Sequence, residues 1–483
     1  MESLATVARE VRPKRPINAD VPAPEGEPEA REEAAPAAAP PAKGEGKAAA
    51  TEKAPSAKEP EQPGQPPKLR EPRSRTPLLL AGLALLAIAF IVFAIVVGGG
   101  SDKSSETAPA TAPAPSASEE SSPEEASSQT AEALGYPGFA TDNTTRVGGA
   151  DPAANAAAVA LGVFPSTIPS QRPAAVTVVD EAEPTTALAA AVMMAPPVRA
   201  PVLFAQGGEL PEASLIALEQ LGPRGDKDTG GTSAFALGRV SPEAIPALGK
   251  VRRVAGGASG DDAFSTAAAV AALRERLAGP PAHVVIAPAS EPELATPAAA
   301  WAARSGDPVL YAEADKLPAA TAAALKRHPK VPVYVLGPKS AISAGAVREI
   351  GKVANQVKRV GGDDPVANAL AFSRYRDGDF GWDVNDPGHG FVLARSDSPL
   401  DGAAASALSG AGTWGPLLLT DNAARLPAEV HSYFLDVKPG YETNPTRAFY
   451  NHVWVIGDQE AISVAQQAEV NELAELAKIG GEG

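Results

Sequence analysis

Three arginines recur beside paired glycines: Arg146 in RVGG, Arg253 in RVAGG and Arg359 in RVGG. A Gly-Gly turn can aim backbone N–H groups at an anion, and a guanidinium beside it suits a carboxylate or phosphate. Glycines at a strand-to-helix turn also supply backbone freedom alone, so both roles fit the pattern. A second concentration is RYRDGDFGWDVNDPGHG, residues 374–390, where Asp377, Asp379, Asp383 and Asp386 stand among Tyr375, Phe380, Trp382 and His389. The acids lack the glycine and closing glutamate of a calcium loop, whereas aromatic faces beside polar groups suit a sugar. Asp-Gly and Asp-Pro are ordinary turn chemistry as well.

Residue types exclude other chemistries. The 483 residues contain no Cys, which removes disulfides, thiolate-held metals and thiol nucleophiles. The five His (His283, His328, His389, His431 and His452) show no HExxH or HxxxH spacing, so neither a metal nor another cofactor is expected. His431 and His452 flank YETNPTRAFY without a Ser/Asp constellation, and no catalytic residue is assigned. A net charge of −16 argues against nucleic acid as a partner.

The elements that must carry these groups lie late in the chain. Residues 1–76 are rich in Pro and Ala, with 13 basic and 13 acidic residues and no cluster able to form a core, and read as a disordered tail. The run LLLAGLALLAIAFIVFAIVV, residues 78–97 within a segment 77–98, has no charge and is long enough to cross a bilayer. Lys68, Arg70, Arg73 and Arg75 precede it, which puts the tail in the cytoplasm and the rest outside. Residues 99–144, of Ser, Thr, Ala, Pro and Glu, read as a disordered stalk.

Beyond the stalk the chain repeats. PVLF, PVLY and PLLL begin at Pro201, Pro308 and Pro416, and each Arg-Val turn stands 55, 55 and 57 residues earlier. Leu-Pro follows at Leu210-Pro211, Leu317-Pro318 and Leu426-Pro427, and apolar runs end at Gly238, Gly337 and Gly457. Asp151-Pro152 and Asp364-Pro365 read as helix starts, as do Ser259 and Asp261 before a helix stopped by Gly279. Continuous apolar strands alternating with Ala-rich helices indicate parallel sheets covered on both faces. The fold class is therefore α/β, in three tandem units at residues 145–250, 251–356 and 357–483, with a last helix at 467–479.

The order Arg-Val-Gly-Gly, helix, strand, Pro-Val/Leu-Leu, Leu-Pro, Val-Tyr-Val-Leu-Gly and Ala-Ile-Ser resembles the type 2 cell-wall-binding repeat, which typically occurs in three copies. The resemblance implies flavodoxin-like or Rossmann-like units about a pseudo-threefold axis, holding a bacterial surface protein non-covalently to a wall glycan or secondary polymer. It places Asp401 at the family's helix-start Asp, with Glu293 and Thr186 in the other units, and ties the Pro-Ile-Leu-Leu segment, here at Pro308 and Pro416, to anchoring. Read from the residues alone, those segments are buried central strands. Candidate polymer-binding residues are thus Arg253, Arg359, Asp401, Trp382, Pro308 and Pro416. The function expected is non-enzymatic attachment joining membrane to wall. Alternatives are a surface glycan-modifying enzyme using residues 374–390 and Asp401, and a protein-contacting tether or sensor.

Overall fold

The computed structural model describes residues 139–246, 249–255 and 262–479. The tail, the span at 78–97 and most of the stalk lie outside these. No helix among the described residues is long and apolar enough to cross a membrane.

Two strands open the described chain, β1 (Phe139–Ala140) and β2 (Thr144–Val147), antiparallel to one another. Both begin within the stretch assigned to the stalk. Helix α1 (Pro152–Val163) starts where Asp151 accepts a hydrogen bond from Ala154 N, with Pro at the first helical position. β3 (Val176–Asp180), α2 (Pro184–Ala190), β4 (Val202–Ala205), α3 (Glu212–Leu221), β5 (Thr232–Leu237) and β6 (Lys250–Val254) then follow. Every residue of β3, β4 and β5 is buried, as continuous apolar runs require when helices cover both faces.

The second round is α4 (Ala263–Ala278), β7 (Val284–Pro288), α5 (Thr296–Ser305), β8 (Val309–Ala312), α6 (Ala319–Arg327), β9 (Val333–Leu336), α7 (Ala344–Ile350) and β10 (Val357–Val360). Asp262 caps α4, accepting from Ser265 N, in place of the expected Ser259 and Asp261, which lie outside the described residues. The third is α8 (Pro365–Arg374), β11 (Gly390–Arg395), α9 (Pro399–Ala411), β12 (Leu417–Thr420), α10 (Ala428–Asp436), β13 (Gly440–Tyr441), β14 (His452–Ile456), α11 (Val464–Ala474) and β15 (Ala477–Lys478). The last helix is earlier and shorter than its expected 467–479. Ser463 caps it, Glu475 leaves helical geometry, and β15 pairs with β13.

Each sheet has four parallel strands: β4-β3-β5-β6, β8-β7-β9-β10 and β12-β11-β14-β2, with β1 on the outer edge of β2. The sheets are offset from the sequence repeat by one strand. The Arg-Val strand that opens a sequence unit is the fourth strand of the preceding sheet, and the first of them, β2, pairs with β14 and completes the third. The third sheet is thus completed by a pairing across about 310 residues (Val455 with Arg146).

Ala-rich helices α2, α5 and α9 pack together between the sheets. With so few aromatic residues the core relies on close approach rather than bulk. A Cβ on Gly410 of α9 would stand 2.6 Å from the carbonyl oxygen of Ala303 in α5. Gly410→Ala is therefore expected to cost about 3 kcal/mol by overpacking a backbone contact that cannot rotate away. Thermal melting measures it, and a loss below about 1 kcal/mol contradicts this packing.

Candidate functional site

Each of the three arginines is tied to the turn after the third strand of its own sheet, Arg146 buried, Arg359 half-buried and Arg253 exposed. Arg359 Nη1 donates to the carbonyls of Gly337 (2.6 Å) and Pro338 (2.9 Å), and Nη2 to that of Ile342. Arg146 does the same in sheet three, donating to Gly457 (2.9 Å), Asp458 and Ile462 (2.6 Å) carbonyls and to Gln467 Oε1 (3.0 Å). Arg253 donates to the Gly238 carbonyl at 3.2 Å. Arg-Val-Gly-Gly, the apolar run ending in Gly and Ala-Ile-Ser are thus one device: a guanidinium on the fourth strand holds the turn after the third.

In two of the turns a glycine N–H is likewise engaged. Gly149 N donates to Asn155 Oδ1 (2.7 Å) and Gly362 N to Asn368 Oδ1 (3.3 Å). Gly148 and Gly361 are required because their left-handed φ (135° and 145°) brings the chain onto those amides: a Cβ would stand 2.3 and 2.2 Å from the Asn oxygens.

Asp401 is buried in the first turn of α9, as its third residue rather than its N-cap, and accepts from Asn155 Nδ2 at 2.7 Å. Counted from Pro184 and from Pro292, which opens a short 3-10 segment before α5, the third position is Thr186 and Leu294, with Glu293 one place earlier. Burial pushes the Asp401 carboxyl above the usual carboxylate range, opposed in part by hydrogen bonds from Asn155 and Ser398. The folded state therefore holds this proton more tightly than the unfolded chain. Its contribution to stability grows as pH falls through the raised native value and levels off below the unfolded value near ~3.9. Asp401→Asn keeps the acceptor and abolishes the titration. Denaturant melts of both proteins from about pH 8 to about pH 4 are expected to show the difference moving in favour of the wild type as pH falls. A pH-independent difference contradicts this.

Pro308 and Pro416 are buried at strand starts, where their carbonyls accept from Val285 N and Val392 N, each at 3.0 Å. Residues 374–390 dock on two units. Phe380 is 1% exposed and stacks on Tyr334 at 3.6 Å, beside the aromatic edges of Trp301 and His283. Val384 is also 1% exposed, and its carbonyl accepts from Tyr433 Oη at 3.0 Å. Phe380, a candidate sugar contact by sequence, is core.

Trp382 leads to a different place. It lines an open cleft of about 450 Å³ with Trp301, Trp414, His283, Arg304, Asp379 and His389. Three of the four Trp in the chain meet here. The cleft lies at the strand starts of sheets two and three: His283 precedes β7, Asp307 β8, His389 β11 and Trp414 β12.

Asp307 is buried and organises one wall. It accepts from His283 N (2.8 Å), His283 Nδ1 (3.1 Å) and Trp301 Nε1 (2.9 Å), fixing both rings. The indole of Trp301 meets Trp382 edge-to-face at 5.4 Å. Trp414, also lining the cleft, is 58% exposed and at φ 54°, a left-handed backbone that costs a non-glycine residue about 1 kcal/mol. Asp383, next to Trp382, is at φ 55°. Among the described residues the side chains of Arg304 and Asp379 have no hydrogen-bond or ion-pair partner. Apolar faces flanked by unengaged polar groups match the two-sided surface of a pyranose. No group of three or more His, Asp or Glu among the described residues could hold a metal ion.

Sequence reasoning picked out Trp382 and His389 but passed over Trp301, Trp414 and His283. Trp301 stands seven residues before Pro308 and Trp414 two before Pro416, so the repeat register does not align them. Scarcity was the available signal: four Trp in such a chain invite the question of where they meet.

Residues 258–347 match the family model Cell wall binding domain 2 (CWB2). That segment supplies His283, Trp301, Arg304 and Asp307 of the cleft. Among solved structures, Cwp6 from Clostridium difficile aligns with 69% of this chain and 48% of its own, at TM-score 0.55 and 19% identity. Cwp8 from Clostridium difficile aligns with 69% of this chain and 52% of its own, at TM-score 0.52 and 18% identity. The chain spans about half the length of these solved relatives, and the likeness is one of fold. Comparison with curated proteins finds no match.

Proposed function

We propose that this protein attaches to a glycan or secondary polymer of a bacterial cell wall, and that the tryptophan cleft grips a saccharide of that polymer. The observation that carries the reading is the overlap of the CWB2 match with one wall of a cleft lined by three indoles. Stacking on indoles is independent of charge, which suits a chain of net charge −16 that bulk attraction would not bring to an anionic wall. Attachment is non-enzymatic in this reading. Asp307 is committed to His283 and Trp301, so it does not serve as one of the paired carboxylates of a glycoside hydrolase. With residues 78–97 in the bilayer and the tail in the cytoplasm, the protein joins membrane to wall.

Sedimentation of the full-length protein with purified sacculi, before and after extraction of their secondary polymers, tests this. The protein is expected in the pellet with intact sacculi. Recovery in the supernatant with both preparations, at low and moderate salt, refutes wall attachment.

A further inference from the structure

A second pocket, of about 290 Å³, opens in the first unit and is lined by Arg172, Arg199 and Arg224 with Phe164, Ser170 and Gln171. Its chemistry is that of a donor set. Among the described residues Arg172 and Arg199 have no carboxylate partner, and Arg224 pairs with Asp226 at 2.9 Å while 41% of its side chain stays exposed. Gln171 Oε1 accepts from Thr167 Oγ1 at 2.6 Å, which leaves the amide N–H groups of Gln171 available.

The arginines are placed rather than scattered. The guanidinium of Arg172 lies over Gly222, where a Cβ would come within 3.2 Å of Nη1. Arg199 sits 5.5 Å from the Phe164 ring centroid in a cation–π contact. Its backbone is left-handed, φ 50°, as is that of Ser166 in the adjoining loop, φ 58°. The four non-glycine residues of left-handed backbone among the described ones therefore fall two beside this pocket and two beside the tryptophan cleft. Such strain persists where the surroundings enforce it, and it gathers at ligand clamps.

We infer that this pocket binds an oxyanion, a phosphate or carboxylate group, carried by the wall polymer; the polymer part of this inference rests on the wall-attachment reading above. Planar guanidinium forks pair with such groups through parallel hydrogen bonds, and three cations on one concave surface overcome a net negative charge locally. The pocket thus gives an acidic protein a short-range hold on an acidic polymer, separate from the stacking cleft.

The test uses the full-length protein and fluorescent poly(glycerol phosphate), polygalacturonate and neutral dextran, followed by anisotropy. The triple variant Arg172→Gln, Arg199→Gly, Arg224→Gln removes three exposed charges, and glycine at 199 suits its backbone, so melting should stay close to the wild type. The wild type is expected to bind one or both anionic polymers, more weakly as salt rises, and the variant to bind at least about tenfold more weakly, with dextran unaffected. Preference for the phosphate or the uronate polymer identifies the group. Binding of neither anionic polymer, or equal binding by the variant, overturns the inference. If sacculi still retain the wild type in that case, the anion site alone fails; if sacculi do not retain a wild type that binds an anionic polymer, wall attachment fails.

Discussion

Arg146→Ala is expected to lower stability by about 4 kcal/mol, an effect large for one side chain and concentrated in the third sheet. Arg146 is 3% exposed, and its guanidinium donates to three backbone carbonyls and Gln467. Truncation takes the guanidinium's donors from the buried Gly457 and Ile462 carbonyls, and a buried acceptor left unmatched costs about 1–3 kcal/mol before water enters. Because β2 is the strand that completes sheet three, loss of its anchor loosens the pairing of β2 with β14. Arg146→Lys keeps a charge but not the fork, and is expected to recover less than half of the loss. Hydrogen exchange checks the location: amides of β14 should exchange faster than those of β7 and β9. A loss below about 1 kcal/mol, or equal acceleration in all three sheets, contradicts the role given to this residue.

The second large effect concerns binding. Trp414→Gly removes the most exposed indole of the cleft, and glycine suits the left-handed backbone that tryptophan occupies there, so stability should hold or rise slightly. An aromatic anchor of a binding site is typically worth about 2 kcal/mol or more on truncation, so affinity for soluble wall glycan fragments is expected to fall about 30-fold. Trp382→Ala should lose a similar amount, with some loss of stability as well, since Trp382 also packs against Trp301. Isothermal titration with one fragment preparation measures both. Unchanged affinity in Trp414→Gly at unchanged stability removes the cleft from the account.

Much of the fold was legible because parallel strands buried on both faces read as plain apolar runs. VTVV, PVLF, VYVL and PLLL fall in β3, β4, β9 and β12, and Asp151 and Asp364 cap the helices they precede. Spacing does not say which sheet an Arg-Val strand joins, so the one-strand offset and the pairing of β2 with β14 were beyond it. Types alone also mislead about partners. Arg359 and Asp401 have the chemistry of ligand contacts, but their partners are a set of carbonyls and an asparagine reached only after folding. Phe380 looked like part of a loop for sugars and instead fills a gap between Tyr334 and Trp301. The cleft was half visible, through Trp382 and His389, because Trp301 and His283 come from a different unit and Trp414, in the same unit as Trp382, stands at an unrelated register position.

The central claim, that wall attachment runs through the tryptophan cleft, is tested most directly by sedimenting the wild type and Trp414→Gly with the same purified sacculi at matched concentrations. The wild type is expected in the pellet and the variant mostly in the supernatant, with equal melting temperatures. Pelleting of both to the same extent, or of neither, contradicts it.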